Sequence, residues 1–390
     1  MDILKDLNPF FIDNNIQNFK NKKIILRVDY NVPIKDNKIT DSTRIQNSLK
    51  TINLLLENNN DIIILTHLGR PKTEEDKAKY TTKTVFNFIK ENNIIKCSNL
   101  DFIDTLDINL EYKGKAVYIV ENVRLFKGET KNDLELAKKF ANLGEVFVND
   151  AFASLHRVHS SVAGISNFLP TYFGLLVKEE IMNLSKLLNP ERPYTVILGG
   201  AKVSDKLNLI NNLINKCDNM IITGASCLTI YKNMKFNIGK SFFEEVDTSN
   251  IENKILLPTE FIAVDNIETP SYRKVKNIRE IEDNDIIVDA LINEKIQQVI
   301  LNSKTIFWNG PTGIFEKGYS EGSIQIAKLL TLSNSFKVIG GGDTVNFINS
   351  FKEYKSKIDF ISTGGGATLE FLEKETLDAI DYILKVKTNV

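Results

Sequence analysis

The sequence predicts an α/β protein in two halves, each built on a mainly parallel sheet, and three observations point there. Short apolar runs alternate with amphipathic helical runs almost throughout, as parallel βαβ units require. Several apolar runs end in glycine-rich turns, most clearly VIGGGDTV from Val338 and ISTGGGATLE from Ile361. A helical stretch near the middle stops at Asn189-Pro190-Glu191-Arg192-Pro193, and two prolines there mark a boundary. A chain of 390 residues, 42% hydrophobic and 25% charged, is long enough for two or three globular domains.

In chain order, the first-half strands are expected at 24–28, 62–66, 117–120 and 146–149, with helices at 42–57 and 132–142 between them. Asn58 to Asn60 reads as a solvated helix end. Residues 172–188 read as one helix, with apolar Leu175, Leu176, Ile181, Leu184, Leu187 and Leu188, and the junction between domains is placed along it. The second half has strands at 195–198, 220–223, 305–308, 336–339 and 358–362, and helices at 204–215, 293–302 and 321–332. Residues 261–289 look like a small antiparallel excursion. A last helix, 374–386, is expected to pack back on the first half. The resulting division is 1–172, a joining helix 173–189, 190–373, and 374–390.

Composition excludes several classes. The formal net charge of −1 argues against a general nucleic-acid or membrane-surface binder, so any basic site must be local. Cys97, Cys217 and Cys227 have no metal or redox spacing and read as reduced, small apolar residues. The start, MDILKDLNPFFIDNN, lacks the basic opening and apolar run of a signal peptide. No apolar run approaches the roughly 20 residues of a membrane span. A cytoplasmic protein is the expectation.

Chemistry-bearing residues gather where the first-half strands end. RVDYNVP supplies Asp29 and Asn31, and DSTRI supplies Arg44. THLGRP supplies His67, Gly69 and Arg70, ENVRLF supplies Arg124, and NDAFASLHRVHSS supplies Asp150, His156, Arg157 and His159. Ligands of open α/β sheets bind at these carboxyl ends. Arginine binds carboxylate or phosphate through a planar fork, so four arginines with all three histidines suit a small polyanion. A single arginine is more often a surface ion pair; four at equivalent strand ends are not.

The second half suits phosphates. LGGAKVSDK offers Gly199-Gly200 and then Lys202 and Lys206, which at i, i+4 would share one face of a starting helix. WNGPTGIFE carries Asn309 and Glu316, and Glu316 is a candidate for ribose hydroxyls. Gly340, Gly341 and Gly342 bare backbone N–H groups, and Asp343 and Thr344 are good N-cap types, so the following helix would aim its positive end at an anion. Asp343 is also a candidate for a divalent cation. A single glycine turn is as often a mere turn; the second triplet, Gly364 to Gly366, makes two helix N-termini for one charged ligand. The chain has no P-loop, because Met234 stands where the leading glycine before Gly239-Lys240-Ser241 should be, and it has no G-x-G-x-x-G. A polyanion-binding half and a phosphate-binding half together fit phosphoryl transfer between a small acid and a nucleotide.

These stretches, in this order from about Ile24 to Glu370, resemble the phosphoglycerate kinase family. The resemblance implies two Rossmann-like, three-layer α/β/α domains joined by a hinge helix. It implies reversible transfer between 1,3-bisphosphoglycerate with ADP and 3-phosphoglycerate with ATP, in glycolysis and gluconeogenesis, with Mg2+, by domain closure in a monomer. By motif, the N-terminal domain would hold phosphoglycerate through Asp29, Asn31, Arg44, His67, Arg70, Arg124 and Arg157. The C-terminal domain would hold the nucleotide through Lys202, Lys206, Gly224, Asn309, Glu316, Gly341, Gly342, Asp343 and Thr344, with Asp343 on the metal. Arg44, Lys202, Lys206, Gly342 and Gly365 would act on the moving phosphoryl group.

The chain departs from the family pattern in two places that the resemblance assigns to the nucleotide base. ITGASCLT keeps Gly224 alone of a usual glycine triplet and has Ser226 where Met is usual, and IIVDALIN keeps only Asp289 of Gly-x-Asp-Ile-Gly-Pro. Thr223, Ala225 and Ile287 add bulk, so weaker nucleotide affinity or altered base preference is expected. Ala153 replaces a common glycine. Two other readings stand beside the kinase: a two-domain dehydrogenase, which lacks its dinucleotide fingerprint, and a weakened or non-catalytic nucleotide- or phosphosugar-binding relative.

Overall fold

The apolar run after Asn21 forms β1 (Lys23–Arg27), where Ile24, Ile25 and Leu26 are fully buried. The computed structural model describes residues 3–251 and 254–388. Five strands join β1 in one sheet: β2 (Asp61–Leu65), β3 (Asn99–Ile103), β4 (Ala116–Val120), β5 (Val146–Asn149) and β6 (Thr171–Phe173). Their order is β3-β4-β2-β1-β5-β6, and every pairing is parallel. Side chains alternate between faces along each strand. Ile24, Leu26, Ile62, Ile64 and Val148 therefore pack with Ile52 and Leu55 of the helix Thr43–Glu57 and with Ile89 of the helix Lys83–Glu91. Ile25, Ile63 and Phe147 pack on the opposite face with Leu136 and Phe140 of the helix Leu134–Ala141. A parallel sheet buried on both faces makes three layers.

The second sheet has the same construction. It comprises β7 (Tyr194–Leu198), β8 (Asn219–Ile222), β12 (Thr305–Asn309), β13 (Phe336–Gly340) and β14 (Phe360–Ile361), in the order β8-β7-β12-β13-β14 and all parallel. Between β8 and β12 the chain makes a separate antiparallel sheet of β9 (Glu260–Val264), β10 (Arg273–Asn277) and β11 (Ile286–Leu291). One face of the parallel sheet packs Ile197, Ile306, Trp308 and Ile339 against Ile296, Ile326 and Phe347 from three helices. In both sheets the first strand has neighbours reached in opposite directions: β2 and β5 flank β1, and β8 and β12 flank β7. Such reversals open a crevice at the strands' carboxyl ends.

The chain forms two compact units, one of residues up to 185 together with those from 374 onward, the other of residues 186–373. In the first, the helix Asp378–Thr388 buries Ile380 and Ile383, and the Ala379 N–H donates to the Leu155 carbonyl at 2.9 Å. Among the described residues, no helix is long and apolar enough to cross a membrane.

Four local expectations are corrected. Residues 172–188 are not one helix: the chain runs through β6 to Phe173 and then turns at Gly174 into the helix Leu175–Leu188. The Asp150 side chain caps that helix across space, accepting from the N–H groups of Leu176 (2.9 Å) and Val177 (3.2 Å). Residues 204–215 divide into a 3-10 turn Ser204–Lys206 and a helix Leu207–Leu213, so Lys202 lies in the preceding loop and shares no helical face with Lys206. The last helix begins at Asp378, because Glu375 takes a left-handed φ of 62° that ends the preceding helix Gly366–Lys374. Edge strands β3 and β6 were not expected.

Candidate active site

In the first unit the strand ends converge on arginine. Arg27 closes β1, and although charged it is 1% exposed. Its Nη2 lies 3.1 Å from His67 Nδ1, its Nε donates to Ser161 Oγ at 3.2 Å, and its Nη1 donates to the Val28 carbonyl. Asp29, two residues on, accepts from Arg44 Nη1 and from the Asn31 N–H at 3.0 Å. Asn31 Oδ1 accepts from the Gly69 N–H at 2.8 Å, and Arg124 Nη1 donates to the Gly69 carbonyl at 2.5 Å. Asn122 ties the same loops, donating to the carbonyls of Leu68 (2.7 Å) and Tyr80 (2.8 Å). Arg70 is exposed beside Gly69, while Arg157 and His159 follow the 3-10 turn Phe152–Ser154 after β5.

The electrostatics of this cluster are one-sided. Burial, and then the charges of Arg27, Arg124, Arg44 and Arg157, hold His67 well below the usual histidine value. Burial and neighbouring arginines bring His159 down to about 4. Burial and Arg157, Arg27 and Arg70 bring Arg124 down to about 10. Groups that resist protonation beside guanidinium groups that crowd one another mark a site short of negative charge, and an anionic ligand supplies it. Asp29, Asn31, Arg44, His67 and Arg124 are joined by direct contacts or through Gly69; Arg70 and Arg157 join through their field. Asp150 is apart from this chemistry: it is buried under the helix it caps.

In the second unit, the reversal between β7 and β12 is closed by glycine. Gly199 N–H donates to the Asn309 carbonyl at 2.8 Å and Gly200 N–H to the Pro311 carbonyl at 2.9 Å. A Cβ on Gly310 (φ +97°) would strike the Gly199 carbonyl. Beside this seam, Lys206 Nζ donates to the Gly199 carbonyl at 2.5 Å, and its burial lowers its pKa. A polar cavity of about 270 Å3 takes in Lys202, Lys206, Asn309, Gly341, Gly342, Asp343 and Thr344. An apolar cavity of about 240 Å3 takes in Gly224, Ala225, Phe242, Ile287, Asp289 and Glu316. The two share Gly200, Ala201 and Asp343, so they form one cleft with a charged end and an apolar end.

The glycine turn after β13 differs in detail from its sequence reading. Gly340 remains in the strand, Gly341 takes φ +86° against the Asn309 amide, and the helix Gly342–Asn349 starts one residue later. Asp343 and Thr344 are therefore first-turn residues and not N-caps. Thr344 Oγ1 instead accepts the Gly310 N–H at 2.6 Å, which ties this turn to the glycine seam. Uncapped N–H groups remain at the helix start, where an anion would bind. Gly365 (φ +56°) lies past the end of the adjacent strand β14 and does not line the polar cavity.

Among the described residues, no group of three or more His, Cys, Asp or Glu could hold a metal alone. Asp343 offers one exposed carboxylate at the edge of the polar cavity. That fits a hard cation such as Mg2+, which is commonly held by one or two carboxylates and substrate phosphates.

Sequence reasoning missed Arg27, Glu129 and Ser161. Glu129 accepts from Ser161 Oγ (2.6 Å) and the Ser161 N–H (3.0 Å) and is 2% exposed. An arginine inside a run of isoleucines was the available signal; FKGETKND reads only as a turn.

Comparison with known proteins follows the same lines. The phosphoglycerate kinase family profile matches residues 13–375. A phosphoglycerate kinase of Finegoldia magna is 40% identical over 392 residues, covering 94% of this chain and 97% of its own. That of Thermosipho africanus is 40% identical over 395 residues, covering 94% and 96%. Among solved structures, phosphoglycerate kinase from Coxiella burnetii superposes with a TM-score of 0.84 at 33% identity, covering 97% of this chain and 99% of its own. The Pyrococcus horikoshii enzyme gives 0.79 at 26%, covering 95% and 98%.

Proposed function

The chain belongs to the phosphoglycerate kinase family, and on that premise we propose that it transfers a phosphoryl group reversibly between ATP and the carboxylate of 3-phosphoglycerate. The observation that carries the reading is the pairing, on one chain, of an arginine cluster short of negative charge with a cleft that has a charged and an apolar end. Arg44, Arg70, Arg124 and Arg157, with Asp29, Asn31 and His67, bind the phosphoglycerate. Gly224 and the apolar cavity take the base, Glu316 the ribose, and Lys202, Lys206, Asn309 and residues 341–344 the phosphates.

The acceptor carboxylate is already a nucleophile, so no general base is needed. Its oxygen forms a bond to the γ-phosphorus as the bond to the β-phosphate oxygen breaks, and ADP leaves with that electron pair. Catalysis is then positioning and charge stabilisation. Arg44, Lys202, Lys206 and the N–H group at Gly342 are proposed to stabilise the charge that spreads over the equatorial oxygens; Gly365, outside the polar cavity, keeps no such role on the geometry of its own unit. Asp343 would hold Mg2+, which would supply neutralisation of phosphate charge. Each substrate is held by a different unit, so turnover requires closure. Run toward ATP the transfer would serve glycolysis, and run in reverse gluconeogenesis.

The test is 3-phosphoglycerate-dependent ATP consumption in a coupled assay. Arg44→Ala and Lys202→Ala each lower kcat on the order of 10²–10³ by loss of one charged contact. A wild type that turns over no faster than these variants would leave the non-catalytic reading in its place.

A further inference from the structure

We infer that Glu129 is a positioning residue for the phosphoglycerate pocket: through Ser161 it holds Arg27, and Arg27 fixes His67 as the tautomer that carries its proton on Nε2. The inference rests on the function proposed above for its consequence, though not for its geometry.

The relay begins with two buried charges from distant parts of the chain. Arg27 is 1% exposed and Glu129 is 2% exposed. Buried charges are tolerated when their remaining donors and acceptors are satisfied. Here one hydroxyl joins them. Ser161 has a single hydroxyl proton, and at 2.6 Å it goes to Glu129 Oε1, because a carboxylate only accepts. The oxygen of Ser161 is then left to accept from Arg27 Nε at 3.2 Å. The Ser161 N–H donates to the other carboxylate oxygen at 3.0 Å, so Glu129 grips this residue twice. The Ser160 N–H donates to the Glu129 carbonyl at 2.9 Å, anchoring the loop that carries Arg157 and His159.

At the far end the direction is equally determined. A guanidinium has no lone pair to offer, so at 3.1 Å His67 Nδ1 must be the acceptor from Arg27 Nη2. A neutral ring whose Nδ1 accepts carries its proton on Nε2. Asp29 Oδ1, 3.9 Å from Nδ1, has no proton there to take. His67 thus meets an anionic oxygen as an N–H donor. The other tautomer would offer it a lone pair.

The tautomer is read directly from long-range 1H–15N correlation spectra of the intact protein at pH 7, labelled with 15N-histidine. With three histidines in the chain, the His67 signal is assigned from spectra of His156→Gln and His159→Gln. A neutral ring with the proton on Nε2 is expected; a proton on Nδ1, or an imidazolium, overturns the inference. In the coupled assay, Glu129→Gln and Ser161→Ala raise the KM for 3-phosphoglycerate about tenfold, as loss of a hydrogen bond to a charged group would. The KM for ATP stays within about twofold, and Ser161→Thr, which keeps the hydroxyl, restores the wild-type value. An unchanged KM for 3-phosphoglycerate in both variants also overturns it. Should Glu129→Gln not fold, the Ser161 pair and the wild-type spectrum decide. A wild type without turnover would sink the proposed function while leaving the tautomer result standing.

Discussion

At the scale of the residue, side-chain identity was legible where charge had no competing explanation. Arg44, Arg70, Arg124 and Arg157 stood out because several arginines at strand ends are not needed for folding. Arg27 and Glu129 did not, because their role lies in contacts between loops remote in sequence, and a lone charge next to a strand or a turn has a plainer reading. The apolar end of the cleft, proposed above to take the base, was read by departures alone, and the structure adds a physical account. Ala225 and Ile287 line it, while Asp289 and Thr312 are engaged with each other at 2.6 Å, and Asp289 also accepts the Gly322 N–H at 3.0 Å. Side chains there have little left with which to read a base edge. Apolar pockets discriminate weakly, so kcat/KM for ATP and GTP should differ by no more than about tenfold. An ordinary ATP KM with GTP far behind would show that the added bulk does not alter base preference.

At the scale of the element, the parallel strands were legible because a strand buried on both faces is apolar throughout. The edge strands β3 and β6 were not: the apolar run of β3 is broken by exposed Asp101, and β6 has only three residues beside the helical stretch that follows it. The helix start after β13 was misplaced because N-cap propensity favoured Asp343, whereas the backbone reversal at Gly341 decides it. The seam at Gly310 makes a sharp expectation. Gly310→Ala puts a methyl against the Gly199 carbonyl at a φ of +97° and should cost roughly 1–3 kcal/mol. A lowered urea midpoint together with weaker nucleotide binding would show it, and an unchanged midpoint would refute it.

The cap supplied by Asp150 has a pH signature. Burial, the main cause, raises its carboxyl from 3.8 to about 6. A group raised on folding gives stability that is whole below about pH 4 and lost as pH climbs through about 6. Asp150→Asn cannot ionise, and its amide oxygen can still accept the helix N–H groups. The variant should therefore gain on the wild type by roughly 2 kcal/mol between pH 4 and pH 6.5, read as a Tm difference that widens with pH. A constant difference would mean that Asp150 ionises as easily in the fold as out of it.

At the scale of the whole molecule, two parallel α/β sheets were legible from strand spacing, because βαβ periodicity is local. The return of the chain to its first unit is not local, and the final helical stretch could suggest it without showing it. If the proposed transfer requires closure, solution scattering should report a smaller radius of gyration with 3-phosphoglycerate and ATP together than with either alone. Equal radii in all three conditions would argue that the reaction proceeds without closure.

The discontinuity of the first unit bears on how the chain is made. Residues 186–373 form their unit from one uninterrupted stretch, whereas the first unit is completed by a helix translated after all of it. Until that helix emerges from the ribosome, the surface that receives Ile380 and Ile383 stays uncovered and the Leu155 carbonyl lacks its partner. Domains commonly mature in the order of synthesis, at about 5–20 residues per second. Here the later unit has all its residues first, and the Leu155 carbonyl, two residues before Arg157, waits for the last helix to supply its donor.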